Sequence, residues 1–117
     1  MRRAGCDENN LKMSDVLCDF CGAEWTPERP MVEGHRGACI CGPCLSIAYT
    51  ELVTLGTNAA PAGYECRLCL ERKADPAWGS PFFDGVYACR QCVKRSAGVL
   101  HKDPDTPWRK PDAPGAS

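Results

Sequence analysis

The sequence predicts a small α+β fold that is built twice and stabilised by metal. Two Cys-x-x-Cys pairs separated by 19 residues occur in the first half of the chain, and the same frame recurs 48 positions later. Each repeat has about 40 residues, too few to bury a self-sufficient core, and at this size metals or disulfides usually complete the fold. The repeated cysteines are Cys18, Cys21, Cys41, Cys44, Cys66, Cys69, Cys89 and Cys92.

The spacing of these cysteines is typical of a four-thiolate zinc site, in which each Cys-x-x-Cys pair supplies two corners of a tetrahedron. Because each repeat is self-contained, we expect sequential pairing and two Zn²⁺ per chain. The alternative metal is iron in a rubredoxin-like site, since four sulfurs suit either ion. The first set is Cys18, Cys21, Cys41 and Cys44, and the second is Cys66, Cys69, Cys89 and Cys92.

A disulfide framework is the alternative use of ten cysteines, as in small secreted proteins. Residues 1–10 show no apolar run of the kind that signal peptides carry. No apolar stretch approaches the ~20 residues of a membrane span. The expected setting is therefore reducing and cytoplasmic. Either Met1 or Met13 fits as the start.

The first repeat contains the pattern of a zinc knuckle, a hairpin and a helix. Gly22 follows the first pair and suits a positive φ. Apolar residues on both sides of 33–37 predict a hairpin that joins Met31-Val32 to Ala38-Cys39-Ile40. Residues after Pro43 then follow a helical period as far as the glycine stop at Gly56. The apolar face of this helix comprises Leu45, Ala48, Tyr49, Leu52 and Leu55.

The second repeat follows the same plan. A hairpin is expected around residues 82–87, and a helix from about Arg90 through Val93, Ala97 and Leu100. Knuckle, hairpin and helix around zinc make up the treble-clef plan, so we predict two tandem treble-clef-like zinc fingers. The boundaries are a flexible tail at 1–13, a first finger at 14–56, a linker at 57–63, a second finger at 64–102 and a disordered tail at 103–117.

Two cysteines and both histidines fall outside the repeated frame. Cys6 has no counterpart in the other repeat, and Cys39 corresponds to Tyr87, which cannot replace a thiolate. We therefore expect Cys39 to be a packing residue of the hairpin. His35 lies in a turn and His101 at a helix end, where solvated or capping roles are expected.

The sequence does not indicate an enzyme. A closed four-cysteine site leaves zinc no open position for substrate. Neither a phosphate-binding loop nor a Ser/His/Asp or paired-carboxylate set is present in the sequence. A crossed RING-type pairing would imply a ubiquitin ligase, but the central cysteine-histidine cluster is missing, with Ile47 where the next ligand should come.

The first repeat resembles the N-terminal four-cysteine zinc finger of the ClpX chaperone family. Residues 18–22 fit that family's Cys-x-Phe-Cys-Gly opening, and residues 38–45 align with its aromatic-Ile-Cys-x-x-Cys-Val close, with Cys39 and Leu45 at the aromatic and valine positions. The second repeat matches more loosely, with Leu70 in place of the glycine. The resemblance implies a treble clef that dimerises and docks adaptors and substrate proteins for an attached unfoldase. No part of these 117 residues corresponds to the unfoldase, so ATPase activity is not expected of them.

The expected function is a non-enzymatic protein-interaction module whose partner is an adaptor, a chaperone or a substrate polypeptide. Candidate contacts are Met31, Val32, Trp78, Phe82 and Phe83. One alternative is nucleic-acid binding through a basic second helix, and another is a redox-sensing zinc switch.

The charge of the chain is divided unequally between the repeats. Residues 18–55 carry −3 and residues 66–102 carry +4, although the whole chain carries only −1. Opposite charge favours pairing of the two fingers within one chain, as a pseudo-dimer. The alternative is two separate fingers that each pair with another chain in a homodimer.

Overall fold

The computed structural model of the chain describes residues 5, 16–34, 38–58, 60–61, 63–104, 106 and 108–110. Within these ranges, the chain forms three two-stranded antiparallel sheets and two helices. Among the described residues, the helices are too short or too polar to cross a membrane. The predicted small α+β fold, with its two treble-clef-like fingers, is confirmed.

The first finger contains the predicted hairpin. Strand β1 (Met31–Glu33) pairs with β2 (Cys39–Cys41), with Met31 opposite Cys41 and Val32 opposite Ile40. Residues 35–37, where the turn is predicted, lie outside the described residues. Ile40 and Cys41 are fully buried, so this hairpin supplies both core and a cysteine of the site.

The first helix begins where predicted but does not stay α-helical. Helix α1 (Gly42–Tyr49) continues into a π-helical turn, Thr50–Thr54, in which the Leu55 N–H donates to the Thr50 carbonyl at 2.9 Å. A bond across five residues turns the chain less per residue than the α-helical period, so Leu55 is rotated off the buried face. Leu55 is 57% exposed, and its predicted place on that face is wrong. Leu45, Ala48 and Leu52 are buried as predicted.

The second finger repeats this arrangement with its own hairpin and helix. A short knuckle ladder pairs β3 (Tyr64–Glu65) with β4 (Arg72–Lys73), and the main hairpin pairs β5 (Ala77–Gly79) with β6 (Tyr87–Cys89). Helix α2 spans Arg90–Lys102. The predicted helix is confirmed, and its predicted apolar face, Val93, Ala97 and Leu100, is buried.

Loop lengths differ between the fingers although the cysteine spacing is the same. Nine residues, 22–30, lead from the knuckle to β1, whereas seven, 70–76, lead to β5. The hairpin loops show the reverse difference, with five residues at 34–38 and seven at 80–86. Relative to the first finger, the second finger is therefore two residues shorter in the loop before its hairpin and two residues longer in the hairpin loop. The two differences cancel, so the cysteine spacing is the same in both fingers.

The two fingers share one hydrophobic core. Phe20 of the first finger packs on Trp78 of the second, with ring centroids 5.5 Å apart, and both side chains are buried. The Ser80 hydroxyl donates to the Phe20 carbonyl at 2.5 Å. Helix α1 also packs against α2. The apolar helix faces that neither finger can bury alone are therefore covered by the other finger.

Trp108 departs from the prediction of a disordered tail at 103–117. Its side chain is only 9% exposed, and the indole Nε1 donates to the Gly42 carbonyl at 3.0 Å and to Ser46 Oγ at 2.8 Å. A buried indole removes a large apolar area from water, provided that its N–H finds an acceptor. The indole therefore anchors part of this segment, while residues 111–117 lie outside the described residues.

We predict that Gly34→Ala destabilises the contact between the fingers. An added Cβ at Gly34 would lie 2.5 Å from the backbone carbonyl oxygen of Leu68, in the other finger, so backbone must shift. Such overpacking costs about 1–3 kcal/mol. Denaturant unfolding of the zinc-loaded chain measures the loss. The control is Gly98→Ala on α2, where a Cβ meets nothing within 4 Å and should add roughly 0.5–1 kcal/mol. Equal stability of Gly34→Ala and wild type would contradict the contact at Leu68.

Candidate metal centres

The second Cys-x-x-Cys pair of each finger lies at the start of a helix. Cys41 is the N-cap of α1 and Cys89 is the N-cap of α2, which places Cys44 and Cys92 in the first helical turn. Unpaired N–H groups and the helix dipole stabilise negative sulfur at this position. The predicted placement of both pairs is confirmed.

Backbone N–H groups point at the cysteine sulfurs in both fingers. Cys18 Sγ accepts from the N–H groups of Phe20 and Cys41, at 3.4 Å each. In the second finger, Cys66 Sγ accepts from the Cys89 N–H at 3.3 Å, and Cys89 Sγ accepts from the Cys92 N–H at 3.4 Å. These donors stabilise thiolates without neutralising them, which leaves the sulfurs able to bind a cation.

Each knuckle closes through a residue with positive φ. Gly22 has φ 77° and its N–H donates to the Cys18 carbonyl at 2.8 Å, as predicted for the first finger. Leu70 occupies the same place in the second knuckle with φ 62° and donates to the Cys66 carbonyl at 2.8 Å. Leu70 is the one non-glycine residue with positive φ in the described ranges. A left-handed leucine is strained by roughly 1–2 kcal/mol, so the closed knuckle holds the chain in a conformation it would otherwise avoid.

The eight sulfurs form two compact groups of four. Within each group, all the sulfur atoms lie within 4.8 Å of one another. The Cys18–Cys44 sulfur distance is 3.9 Å and the Cys21–Cys41 distance is 3.6 Å. Tetrahedral zinc with Zn–S bonds of about 2.3 Å requires sulfurs about 3.8 Å apart. The residues therefore fit zinc, and two four-cysteine groups are compatible with two zinc ions. The groups are Cys18, Cys21, Cys41 and Cys44, and Cys66, Cys69, Cys89 and Cys92.

The protonation of these thiols reflects their crowding. Hydrogen bonds with Cys41 and Cys44 lower the pKa of Cys18 to about 2. The pKa of Cys41 is raised to about 12 by its hydrogen bond with Cys18. In the second group, the hydrogen bond with Cys89 raises the pKa of Cys66, and hydrogen bonds with Cys66 and Cys89, followed by burial, raise the pKa of Cys92. The thiols whose pKa is raised keep their protons until a cation replaces them, and metal binding releases those protons.

Cys39 lies in neither group of four. It is 3% exposed, and its backbone exchanges hydrogen bonds with Asp19: the Cys39 N–H donates to Asp19 Oδ1 and the Asp19 N–H donates to the Cys39 carbonyl, both at 2.9 Å. The corresponding Tyr87 carbonyl accepts from the Arg67 N–H at 2.8 Å. A backbone hydrogen bond at this position therefore joins the knuckle to its hairpin in both fingers, and it does not depend on the side chain.

The residues predicted to lie outside the metal sites also include His101, His35 and Cys6. His101 is exposed and accepts at Nδ1 from the Lys110 N–H at 3.0 Å, away from both sulfur groups. Cys6 and His35 lie outside the described residues. All nine cysteines that the structure describes are thiols rather than disulfides, and each group of four is sequential rather than crossed.

Comparison with known proteins finds a family model that matches the first finger. Residues 16–53 match the family model described as the ClpX C4-type zinc finger, which covers about a third of the chain. No curated protein and no solved structure matches the chain. The resemblance of the first repeat to this family is confirmed, and the second group of four cysteines is consistent with a second tandem copy.

We predict that the purified chain holds two zinc ions and unfolds when they are chelated. Structural zinc contributes on the order of 10–16 kcal/mol to small modules, more than a core of this size replaces. Elemental analysis measures the zinc content, and circular dichroism follows unfolding during chelator titration. As control, a Cys6→Ser, Cys39→Ser variant should keep both ions, because neither residue has a counterpart in the other repeat. One zinc per wild-type chain, or loss of zinc in the control, would contradict the assignment.

Proposed function

We propose that this chain is a non-enzymatic zinc protein whose two fingers present a protein-docking surface. The ligands proposed for zinc are the eight cysteines of the two compact groups, which would saturate each ion and leave no position for substrate. The match of residues 16–53 to the ClpX finger supports a binding role rather than a catalytic one. The observation that carries the proposal is a pair of exposed aromatic rings on a well-anchored loop.

Phe82 and Phe83 form this pair at the tip of the second hairpin. They are 64% and 40% exposed, and both backbone N–H groups donate to Ser80 Oγ at 3.1 Å. Ser80 is itself bonded to the Phe20 carbonyl, so the first finger helps to fix the loop. Adjacent exposed aromatic rings are characteristic of interaction sites, because aromatic residues dominate the energetics of protein interfaces. We refer to these two residues as the phenylalanine tip.

The other candidate contacts named from the sequence have structural roles. Trp78 is 2% exposed and packs on Phe20, so its proposed role as a docking contact is wrong. Met31 and Val32 are half-buried against the core. The docking surface that we propose therefore centres on the phenylalanine tip.

We also propose that the two fingers act as a pseudo-dimer within one chain. The shared core, the Phe20–Trp78 contact and the Ser80 hydrogen bond support this, as does the opposite charge of the two halves. Tethering raises the local concentration of the second finger to about the millimolar range, which favours pairing in cis over pairing in trans.

The pseudo-dimer predicts one monomeric chain whose two halves tumble together. Light scattering should give the monomer mass, and NMR relaxation should give one correlation time for both α1 and α2. Two different correlation times, or a dimer of chains built from separate fingers, would contradict pairing in cis.

Nucleic-acid binding is the second candidate, supported by the surface of α2. Arg90, Lys94 and Arg95 are all exposed on this helix. Residues 18–55 carry −3, however, and the phenylalanine tip lies outside α2 rather than among its basic residues. A gel shift that weakens steeply with salt would favour this candidate over protein docking.

We predict that the double substitution Phe82→Ser, Phe83→Ser removes the principal partner without removing zinc. Metal-loaded chain would be used to capture proteins from native cytoplasm, and mass spectrometry would compare what co-purifies. The matched control is Val99→Ser, which alters an apolar residue of similar exposure, 55%, on α2. The expected result is a partner held by wild type and by Val99→Ser, with at least tenfold less recovered by the tip variant. Equal recovery by all three chains would contradict a docking role for the tip.

A further inference from the structure

A groove on the first finger holds the side chain of Trp108. The indole lies against Gly42 and Ser46, with Pro30 close to Gly42, and we call this the tryptophan groove. An added Cβ at Gly42 would lie 3.1 Å from Trp108 Cδ1 and 3.8 Å from Pro30 Cδ, so the ring packs directly on the glycine backbone. The indole N–H is satisfied twice, by the Gly42 carbonyl and by Ser46 Oγ. The groove thus recognises both the flat ring and the single donor of a tryptophan.

The described residues 103, 104, 106 and 108–110, which we call the strap, carry Trp108 to this groove. Other contacts of the strap run to the end of α2: Thr106 Oγ1 donates to the Leu100 carbonyl at 3.3 Å, and the Lys110 N–H donates to His101 Nδ1 at 3.0 Å. Pro104, Arg109 and Lys110 are exposed. One buried side chain therefore supplies the anchor of the strap on the first finger.

The second finger has the corresponding cleft without a tryptophan. The Gly42 N–H donates to the Pro30 carbonyl at 2.8 Å, and the equivalent Arg90 N–H donates to the Pro76 carbonyl at 3.0 Å, so the backbone there is the same. Arg90 and Lys94 replace Gly42 and Ser46. This cleft is open, with a volume of about 380 Å³. Its lining comprises Asp75, Pro76, Arg90, Gln91 and Lys94.

Comparison of the two fingers shows that the finger fold does not require the tryptophan groove. A finger with arginine and lysine at these positions forms the same hairpin and helix, so an indole is not needed to complete it. The first finger instead has glycine, which removes the side chain that would block the ring, and serine, which offers an acceptor. These two residues allow the indole of Trp108 to lie against the start of α1 and to donate its N–H there.

We propose that the tryptophan groove is a docking site for a tryptophan-centred linear segment of a partner polypeptide, and that the strap is an intramolecular ligand that occupies it. The partner segment would present an indole ring to Gly42 and its N–H to the Gly42 carbonyl and Ser46 Oγ, as Trp108 does. The strap competes at an effective concentration of about a millimolar, so the partner binds when the strap is displaced. This site is separate from the phenylalanine tip and does not depend on it.

The test uses the full zinc-loaded chain and a labelled peptide with the sequence of residues 103–110, Asp-Pro-Asp-Thr-Pro-Trp-Arg-Lys. Trp108→Ala empties the groove, so this chain should bind the peptide, whereas wild type should bind at least about tenfold more weakly. Adding Gly42→Arg, which copies the second finger, should abolish binding. The matched control adds Gly98→Arg instead, with the same change of size and charge at an open position, and should bind as Trp108→Ala does. Fluorescence anisotropy gives affinity, and amide shifts of Gly42 and Ser46 give the location.

Three results would overturn the proposal. The first is a Trp108→Ala chain that keeps both zinc ions and does not bind the peptide. The second is equal affinity of the peptide for wild type and for Trp108→Ala, which would place binding outside the groove. The third is loss of zinc from the first finger in Trp108→Ala, which would make the indole part of the finger rather than a displaceable ligand. A peptide with Ala in place of Trp should not bind to any of these chains.

Discussion

The structure depends on two metal sites, and in each of them four sulfur atoms must lie within bonding distance of one ion. The spacing of about 3.8 Å that tetrahedral zinc requires leaves little freedom in the knuckle or at the helix start. This constraint explains why the cysteine spacing is conserved between the repeats while the loops between the cysteines are not. It also explains Leu70, whose left-handed backbone persists because the second knuckle cannot close otherwise. Packing between the fingers then covers the apolar faces that each small module exposes.

The sequence predicted the elements that the cysteine frame and simple periodicity determine. Gly22 at positive φ, the first hairpin, the start of both helices and the burial of Leu45 and Val93 all follow from local patterns. Periodicity puts Leu55 on the wrong face of the helix, because an apolar period of 3.6 residues per turn does not reveal a π-helical turn.

Local sequence patterns do not predict contacts between distant segments. Trp108 lies in a proline-rich stretch with the composition of a tail, and its acceptors are 62 and 66 residues away in sequence. The only local signal was the tryptophan itself, an unusual residue for a solvated segment. The sequence likewise suggests an exposed Trp78, since nothing near it in the sequence indicates that Phe20 covers it. The opposite formal charges of the halves indicated pairing but not which residues meet.

The exchange of two residues between loops makes the two fingers unequal partners. The seven-residue loop of the second hairpin carries the phenylalanine tip, and Phe83 lies beside Gly22 in the first knuckle. The five-residue loop of the first hairpin places Gly34 against Leu68 in the second knuckle but contains no aromatic residue. A homodimer of identical fingers has two equivalent faces by symmetry and so binds ligands in even numbers. Two fingers joined in one chain are free of that symmetry and can diverge. In the pseudo-dimer that we propose, each docking surface therefore occurs once per molecule and in one orientation.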